Sequence, residues 1–385
     1  MKRKVRPLPV WTAFLPAFVI LFAAFSFSPL DYLPENLFRV SYLLAMPEGA
    51  AQELSEKKDE MLSRLRLEGA DLITQKSGGT ATKDNKQTSS DDLTKTPSDI
   101  KASMENIQKL FEDGTYVCDG EVVEKTLIDY QATDSSGDVY VRNVTAETEI
   151  DVEAILANGC SLPISDSALP TVLIYHTHTT ESYIVNDDGK FSSDYPTKND
   201  DTAVNMVRIG DEIARILEEN GIGVLHDRTI YDTTYTGAYD KSREGVLEVL
   251  ERYPSVKITL DIHRDAVYYD DYTRLKPVAE IDGVKAAQMM IIAGAEGGSV
   301  ESFPSWETNL SFALVLQKTA NEKYPKLMKP IYFCNRKYNM DLTPYSLLIE
   351  VGTDVNTLAE AAYSGRLLGD VLSDFIRENA KGAEK

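Results

Sequence analysis

Four residues of this chain could carry out hydrolysis together: His178, Glu181, His263 and Glu350. Histidine is scarce, with only His176, His178, His226 and His263 in the whole sequence, and one of them stands three residues before a glutamate in YHTHTTESY. An H-x-x-E spacing lets an imidazole and a carboxylate on one tight turn reach a single ion. The distant His263, in ITLDIHRDA, can complete a three-ligand Zn2+ site that keeps a fourth position for water. Such an ion lowers the pKa of its water towards ~7 and polarises a carbonyl. Glu350 ends the apolar run SLLIE, where a solvated surface glutamate would be out of place. A carboxylate beside the ligands rather than among them serves as general base and then as acid to a leaving amine.

Other residues compete for supporting roles. Asp201 opens the helix after the first ligand loop and is a rival third ligand to Glu181. Strand alternation puts His176 and His178 on one side, so one is a ligand and the other orients it or contacts substrate. Asp261 lies two residues before His263 on the same strand face and can orient its imidazole. Tyr183 and Arg264 flank the ligand segments and are candidates for substrate contact or for support of the ligands. His226 ends the short run GVLHD and reads as structural. The GAEGG run over 294–298 has no Lys-Ser/Thr in phosphate-loop spacing and reads as a plain loop.

These residues need a frame that brings strand ends to one rim. From position 170 onward apolar runs of strand length alternate with segments of helical period. Strands are expected at Thr171–Tyr175, Gly223–Leu225, Val256–Ile262, Met289–Ala293 and Leu347–Val351. Helices are expected at Ala203–Glu219 (capped by Asp200 or Asp201, stopped by Gly221), Arg243–Arg252, Asn309–Tyr324 and Leu358–Asn379. That order predicts an α/β fold, a doubly wound mixed sheet covered on both faces. Ligands of such sheets bind outside the carboxyl ends of the strands, where His176, His178, His263 and Glu350 fall. The expected organisation is a cytoplasmic tip and anchor over 1–30, a short helix and polar tether over 31–110, a small β-rich lead-in over 111–168, and a catalytic domain over 169–385. The tether reading rests chiefly on 76–98, where almost every residue is small or polar. Residues 7–30 carry no charge and follow Lys2, Arg3, Lys4 and Arg6, the pattern of a single membrane span with the bulk of the chain outside the cytoplasm.

Composition narrows the function classes. Forty basic against 61 acidic residues give a formal net charge of −21, the wrong sign for a nucleic-acid binder. A hydrophobic share of 43% excludes full disorder. Three scattered cysteines make neither a disulfide framework nor a cysteine-based zinc site.

HTHTTESY, followed by DIHRDA and a late LLIEVG, with VRNVT in the lead-in and the anchor and tether before it, resembles the stage II sporulation protein P family. The resemblance implies the fold of zinc-dependent N-acetylmuramoyl-L-alanine amidases, shared with zinc carboxypeptidases. It implies a peptidoglycan hydrolase that removes stem peptides and also cuts peptide cross-links, acting in engulfment during endospore formation. The implied partners are stage II sporulation proteins D and M. The implied place is the mother-cell membrane, with the catalytic domain facing the space between the septal membranes. The amidase strand-turn VIIDPGH, laid on VLIYHTH, puts its histidine on His178; the second histidine matches His263 and the late glutamate Glu350. The amidase pattern points to Asp201 for the remaining ligand and the carboxypeptidase H-x-x-E to Glu181, which we prefer for its spacing. The DPG turn is absent here. Two other readings use the same residues: a tethered zinc peptidase acting on peptides alone, and a non-catalytic assembly scaffold.

Overall fold

The computed structural model describes residues 89–184, 187–234 and 236–380. The expected membrane span over 7–30, the short helix expected at the start of 31–110 and most of the tether lie outside the described residues. Among the described residues no helix is long and apolar enough to cross a membrane.

In chain order the elements are α1 (Ser90–Thr94), α2 (Ser98–Glu112), β1 (Gly120–Lys125), β2 (Asp134–Ser136), β3 (Val139–Asn143), α3 (Val152–Asn158), β4 (Pro170–Tyr175), β5 (Lys190–Phe191), α4 (Met206–Glu219), β6 (Gly223–His226), α5 (Ala238–Arg252), β7 (Ile258–Asp265), β8 (Tyr268–Asp270), β9 (Thr273–Ile281), β10 (Val284–Ala287), β11 (Met289–Gly294), α6 (Trp306–Lys323), β12 (Ile331–Cys334), β13 (Ser346–Thr353) and α7 (Leu358–Asn379). Eight strands form a mixed sheet in the order β2-β3-β12-β11-β13-β7-β4-β6. Its β13-β7-β4-β6 half is parallel, and β11 runs antiparallel to β13. A five-stranded sheet, β10-β9-β1-β5 with β8 beside β9, was not expected. Its β9 and β10 strands mix Lys, Glu and Pro with the apolar residues, which hides them in the sequence.

Two expectations change. The polar stretch over 76–98 already contains helix: Ser89 caps α1 by accepting from the Asp92 amide, and Leu93 and Ile100 are buried. The segment over 111–168 contributes β1 to the five-stranded sheet and β2 and β3 to the edge of the large one, because single strands leave ladder groups that neighbouring strands satisfy. The C-terminal helix begins and ends where the apolar period predicts, opened by a Thr357–Glu360 capping box. The helix after the first ligand loop starts later than expected, at Met206 with Asn205 as its cap.

The central strands alternate between two buried faces. Val172, Ile174, Ile258, Leu260, Ile262, Leu347 and Ile349 face the cluster that includes α4, α6 and α7. Leu173 and Tyr175 meet α5 on the other side, and Leu348 packs with Ile292, Phe303 and Met340. Side chains alternate with period two. Asp261, His263 and Glu350 therefore project on the α5 side. Helices α4 and α7 approach closely where α7 has Gly369: a Cβ there would lie 2.8 Å from Ile216 Cβ and 2.9 Å from the Ile213 carbonyl oxygen. Gly369→Ala is expected to lower unfolding free energy by ~1–3 kcal/mol despite alanine's better helix propensity, as read from the urea midpoint. An unchanged or higher midpoint would refute close packing at this crossing.

Candidate active site

The parallel ladder sets the first geometric fact. Glu350 is the register partner of His263, and Asp261 that of Tyr175 at the end of β4. Two polar side chains thus stand next to each other on one face at the carboxyl rim of β7 and β13. Beyond Tyr175 the chain leaves the sheet in a tight turn, His178 to Glu181, closed by the Glu181 amide on the His178 carbonyl at 3.2 Å.

Buried acids pin that turn. Asp261 accepts from the Thr177 amide at 2.8 Å and its hydroxyl at 2.6 Å. Asp232 accepts from the Thr180 amide and hydroxyl at 3.0 and 2.7 Å. The turn then presents His178 and Glu181 to His263. His178 Nδ1 is 3.3 Å from Glu181 Oε1, and His263 Nδ1 is 3.6 Å from Glu181 Oε2. The two imidazole rings are 5.0 Å apart at 75°. The ligand-type atoms of His178, Glu181 and His263 all lie within 4.8 Å of one another. Two imidazole nitrogens and a carboxylate oxygen in such a space are a donor set suited to zinc. On the far side of His263, Asp261 Oδ1 is 2.8 Å from Nε2, within ion-pair distance.

The electrostatics belong to a charged, water-poor site. Burial alone would push the Glu181 carboxyl up, but bonds from His178 and His263 and the nearby Arg264 charge hold it well below the carboxylate range. Burial opposes a charge on His263, yet Asp261 and Glu181 raise its pKa well above that of a free imidazole. Burial, with help from Asp265 and Glu181, pushes Glu350 up to about 8 against the opposing His263 and Lys329 charges. Its Oε2 is shielded from solvent and has no hydrogen-bond partner. A buried carboxylate oxygen left open in this way, beside a cluster of metal-type donors, is available to a reacting molecule.

The remaining candidates are distributed differently. Asp201 is exposed and accepts from the Ala203 amide, outside the cluster. His176 and His178 do not share a side: β4 ends at Tyr175, so His176 continues the α4 face while the turn carries His178 to the other. His176 is fully buried, its Nδ1 3.0 Å from the Ile262 carbonyl and its Nε2 2.9 Å from His226 Nε2. Burial and the neighbouring His226 hold its pKa well below the ordinary value. Tyr183 is 2% exposed and donates to the Val351 carbonyl at 2.8 Å. Arg264 donates to the carbonyls of Ser182, Thr197 and Asp265. Both are bonded inside the fold rather than turned to solvent.

Three further neighbours carried no sequence signal. Tyr239, at the start of α5, packs its ring edge-on to His178 at 5.6 Å and against Tyr338 at 5.3 Å. Lys329 pairs with Asp265 at 3.1 Å near Glu350. Their distance along the chain from the ligands leaves no periodicity that would mark them. A second acidic group, Glu124, Asp187 and Glu360, is already neutralised by Lys276, with Lys285 on Glu124 and Asp187.

Fold and site together define an α/β protein with a two-histidine, one-carboxylate cluster at the carboxyl rim of its parallel strands and a buried glutamate beside it. The chain belongs to the stage II sporulation protein P family, whose model matches residues 49–373. Stage II sporulation protein P of Bacillus subtilis (strain 168) is 30% identical over 222 residues, which cover 54% of this chain and 52% of that protein. The chain thus spans about half the length of the curated relative it matches. Among solved structures, it is similar to the N-acetylmuramoyl-L-alanine amidase AmiC2 of Nostoc punctiforme (TM-score 0.34, 15% identity, 56% of this chain and 98% of that chain). It is also similar to the CwlD amidase from Clostridioides difficile, solved in complex with the GerS lipoprotein (TM-score 0.35, 12% identity, 54% of this chain and 99% of that chain).

Proposed function

We propose that this protein is a zinc-dependent peptidoglycan hydrolase that cleaves the amide between N-acetylmuramic acid and the L-alanine of the stem peptide, and also cuts peptide cross-links. The observation that carries this reading is the meeting of His178, Glu181 and His263 within 4.8 Å beside Glu350. Zinc would be held by His178, Glu181 and His263, and when bound it acidifies water and polarises the scissile carbonyl. Glu350 takes the proton of the attacking water and returns it to the leaving amine, a task suited to a carboxyl whose pKa lies near neutrality. Asp261 holds the His263 ring in place, and the Thr177 and Thr180 bonds to Asp261 and Asp232 keep the His178–Glu181 turn from relaxing.

Family membership supports a place in sporulation. We assign the protein to engulfment, working with stage II sporulation proteins D and M. The uncharged run over 7–30 is assigned as the anchor that keeps the catalytic domain outside the cytoplasm, against the wall between the septal membranes. The full chain in detergent, incubated with peptidoglycan with and without a chelator, is expected to release stem peptides with a free L-alanine amino terminus, only without chelator. Mass spectrometry reads the products. Cleavage confined to cross-links would refute the amidase assignment. Unchanged cleavage with chelator would refute the metal.

A further inference from the structure

The pair of buried His176 and partly buried His226 is not used by the chemistry above, yet it occupies the junction of the two ligand-bearing segments. Tyr175 and Asp261 are the last paired residues of β4 and β7. The His176 ring takes over, its Nδ1 bonding the carbonyl of Ile262, the residue before His263, at 3.0 Å. The His176 carbonyl in turn accepts the Thr179 hydroxyl at 2.6 Å, inside the turn that carries His178. One residue therefore ties the His178 turn to the His263 strand.

The protons of the pair follow from its neighbours. Nδ1 of His176 faces a carbonyl and must carry hydrogen. Nδ1 of His226 faces Asp211 Oδ1 at 3.0 Å and must carry one too. The two Nε2 atoms meet at 2.9 Å. Asp211 also binds Arg228, which fixes the outer end of the pair. The helix is shaped around this pair. At Gly210 in α4 an added Cβ would lie 2.3 Å from His226 Nε2 and 2.6 Å from His176 Nε2. A glycine inside a helix costs about 1 kcal/mol relative to alanine. Here it makes room for the two rings.

We propose that His176 and His226 are positioning residues: their hydrogen-bonded pair clamps the end of β7 to the turn after β4 and so sets the spacing of His178 and His263. The clamp rests on the metal-site reading given above, and its test separates the two. The full chain is loaded with Co2+ alone, and both the Co2+ dissociation constant and the visible ligand-field spectrum are recorded. His176→Leu and Gly210→Ala, the latter leaving both rings in the sequence, are expected to weaken Co2+ binding by ~10–100-fold and to shift the spectrum. His176→Asn, whose amide N–H can replace the Nδ1 donor, is expected to restore both. Wild-type affinity and spectrum in a folded Gly210→Ala chain would overturn the clamp even if His176→Leu fails to fold. A wild-type chain that takes up no cobalt would overturn the metal site, and the purpose of the clamp with it.

Discussion

Glu350→Gln is expected to lower hydrolysis of peptidoglycan by ~10²–10⁴-fold while leaving the zinc content at the wild-type level. The substitution keeps the shape of the side chain and the β13 register with His263, and none of the three cluster residues is touched. What is removed is the acceptor of a proton. A second, independent readout comes from stability without metal. The Glu350 carboxyl sits at about 8 in the fold, against an ordinary value of 4.5. Between those values the unfolded chain has given up this proton and the folded chain has kept it, so the unfolded state binds fewer protons and stability falls as pH rises from 4.5 to 8. The ionised form costs the metal-free fold on the order of a few kcal/mol. Glutamine cannot ionise. The chelated Glu350→Gln chain should therefore melt at a higher temperature than its parent at pH 9, with the gap closing towards pH 5. Thermal unfolding at the two pH values checks this, and equal gaps at both would refute the burial of an uncompensated carboxylate. Retained turnover would remove Glu350 from the chemistry.

His263→Ala is expected to have the other large effect, and a different one. Zinc content, measured by atomic absorption after dialysis, should fall to background, and hydrolysis should fall by more than the ~100-fold that losing an outer partner can cost. Stability should fall as well. His263 is 3% exposed and stands between Asp261 and Glu181; its loss leaves two carboxylates without their shared cationic partner. Breaking a buried pair in this way costs about 3–5 kcal/mol. The two variants thus separate the roles: one loses turnover and keeps metal, the other loses both and weakens the fold. Undiminished zinc in His263→Ala would end its assignment as a ligand.

Much of this site is legible in the primary structure because its chemistry is local to strand ends. Runs such as TVLIY, ITLDI and SLLIE announce buried strands, and a polar residue at the end of each stands out against them. The H-x-x-E turn is a contact between near neighbours, so its spacing is visible in the sequence. The placing of His263 and Glu350 at strand ends on one rim is legible in this way, while their register pairing is a feature of the folded sheet.

Other features depend on partners far along the chain. His176 and His178 are two residues apart and were expected on one side. The strand stops at Tyr175, and Asp261 and Asp232, 84 and 52 residues on from Thr177 and Thr180, bend the turn so that they part. Tyr183 and Arg264 look like rim residues until the core closes over one and three carbonyls take up the other. The five-stranded sheet stays hidden because its strands gain stability from partners such as β1 and β9, some 150 residues apart, rather than from their own alternation. Residue types and local periodicity determined which groups can react and on which strands they sit. Which of them meet, which are locked into the fold, and how His176 joins the turn after β4 to the end of β7 were decided by the tertiary structure, because burial and the demand that every buried polar group find a partner act between segments that the linear order keeps apart.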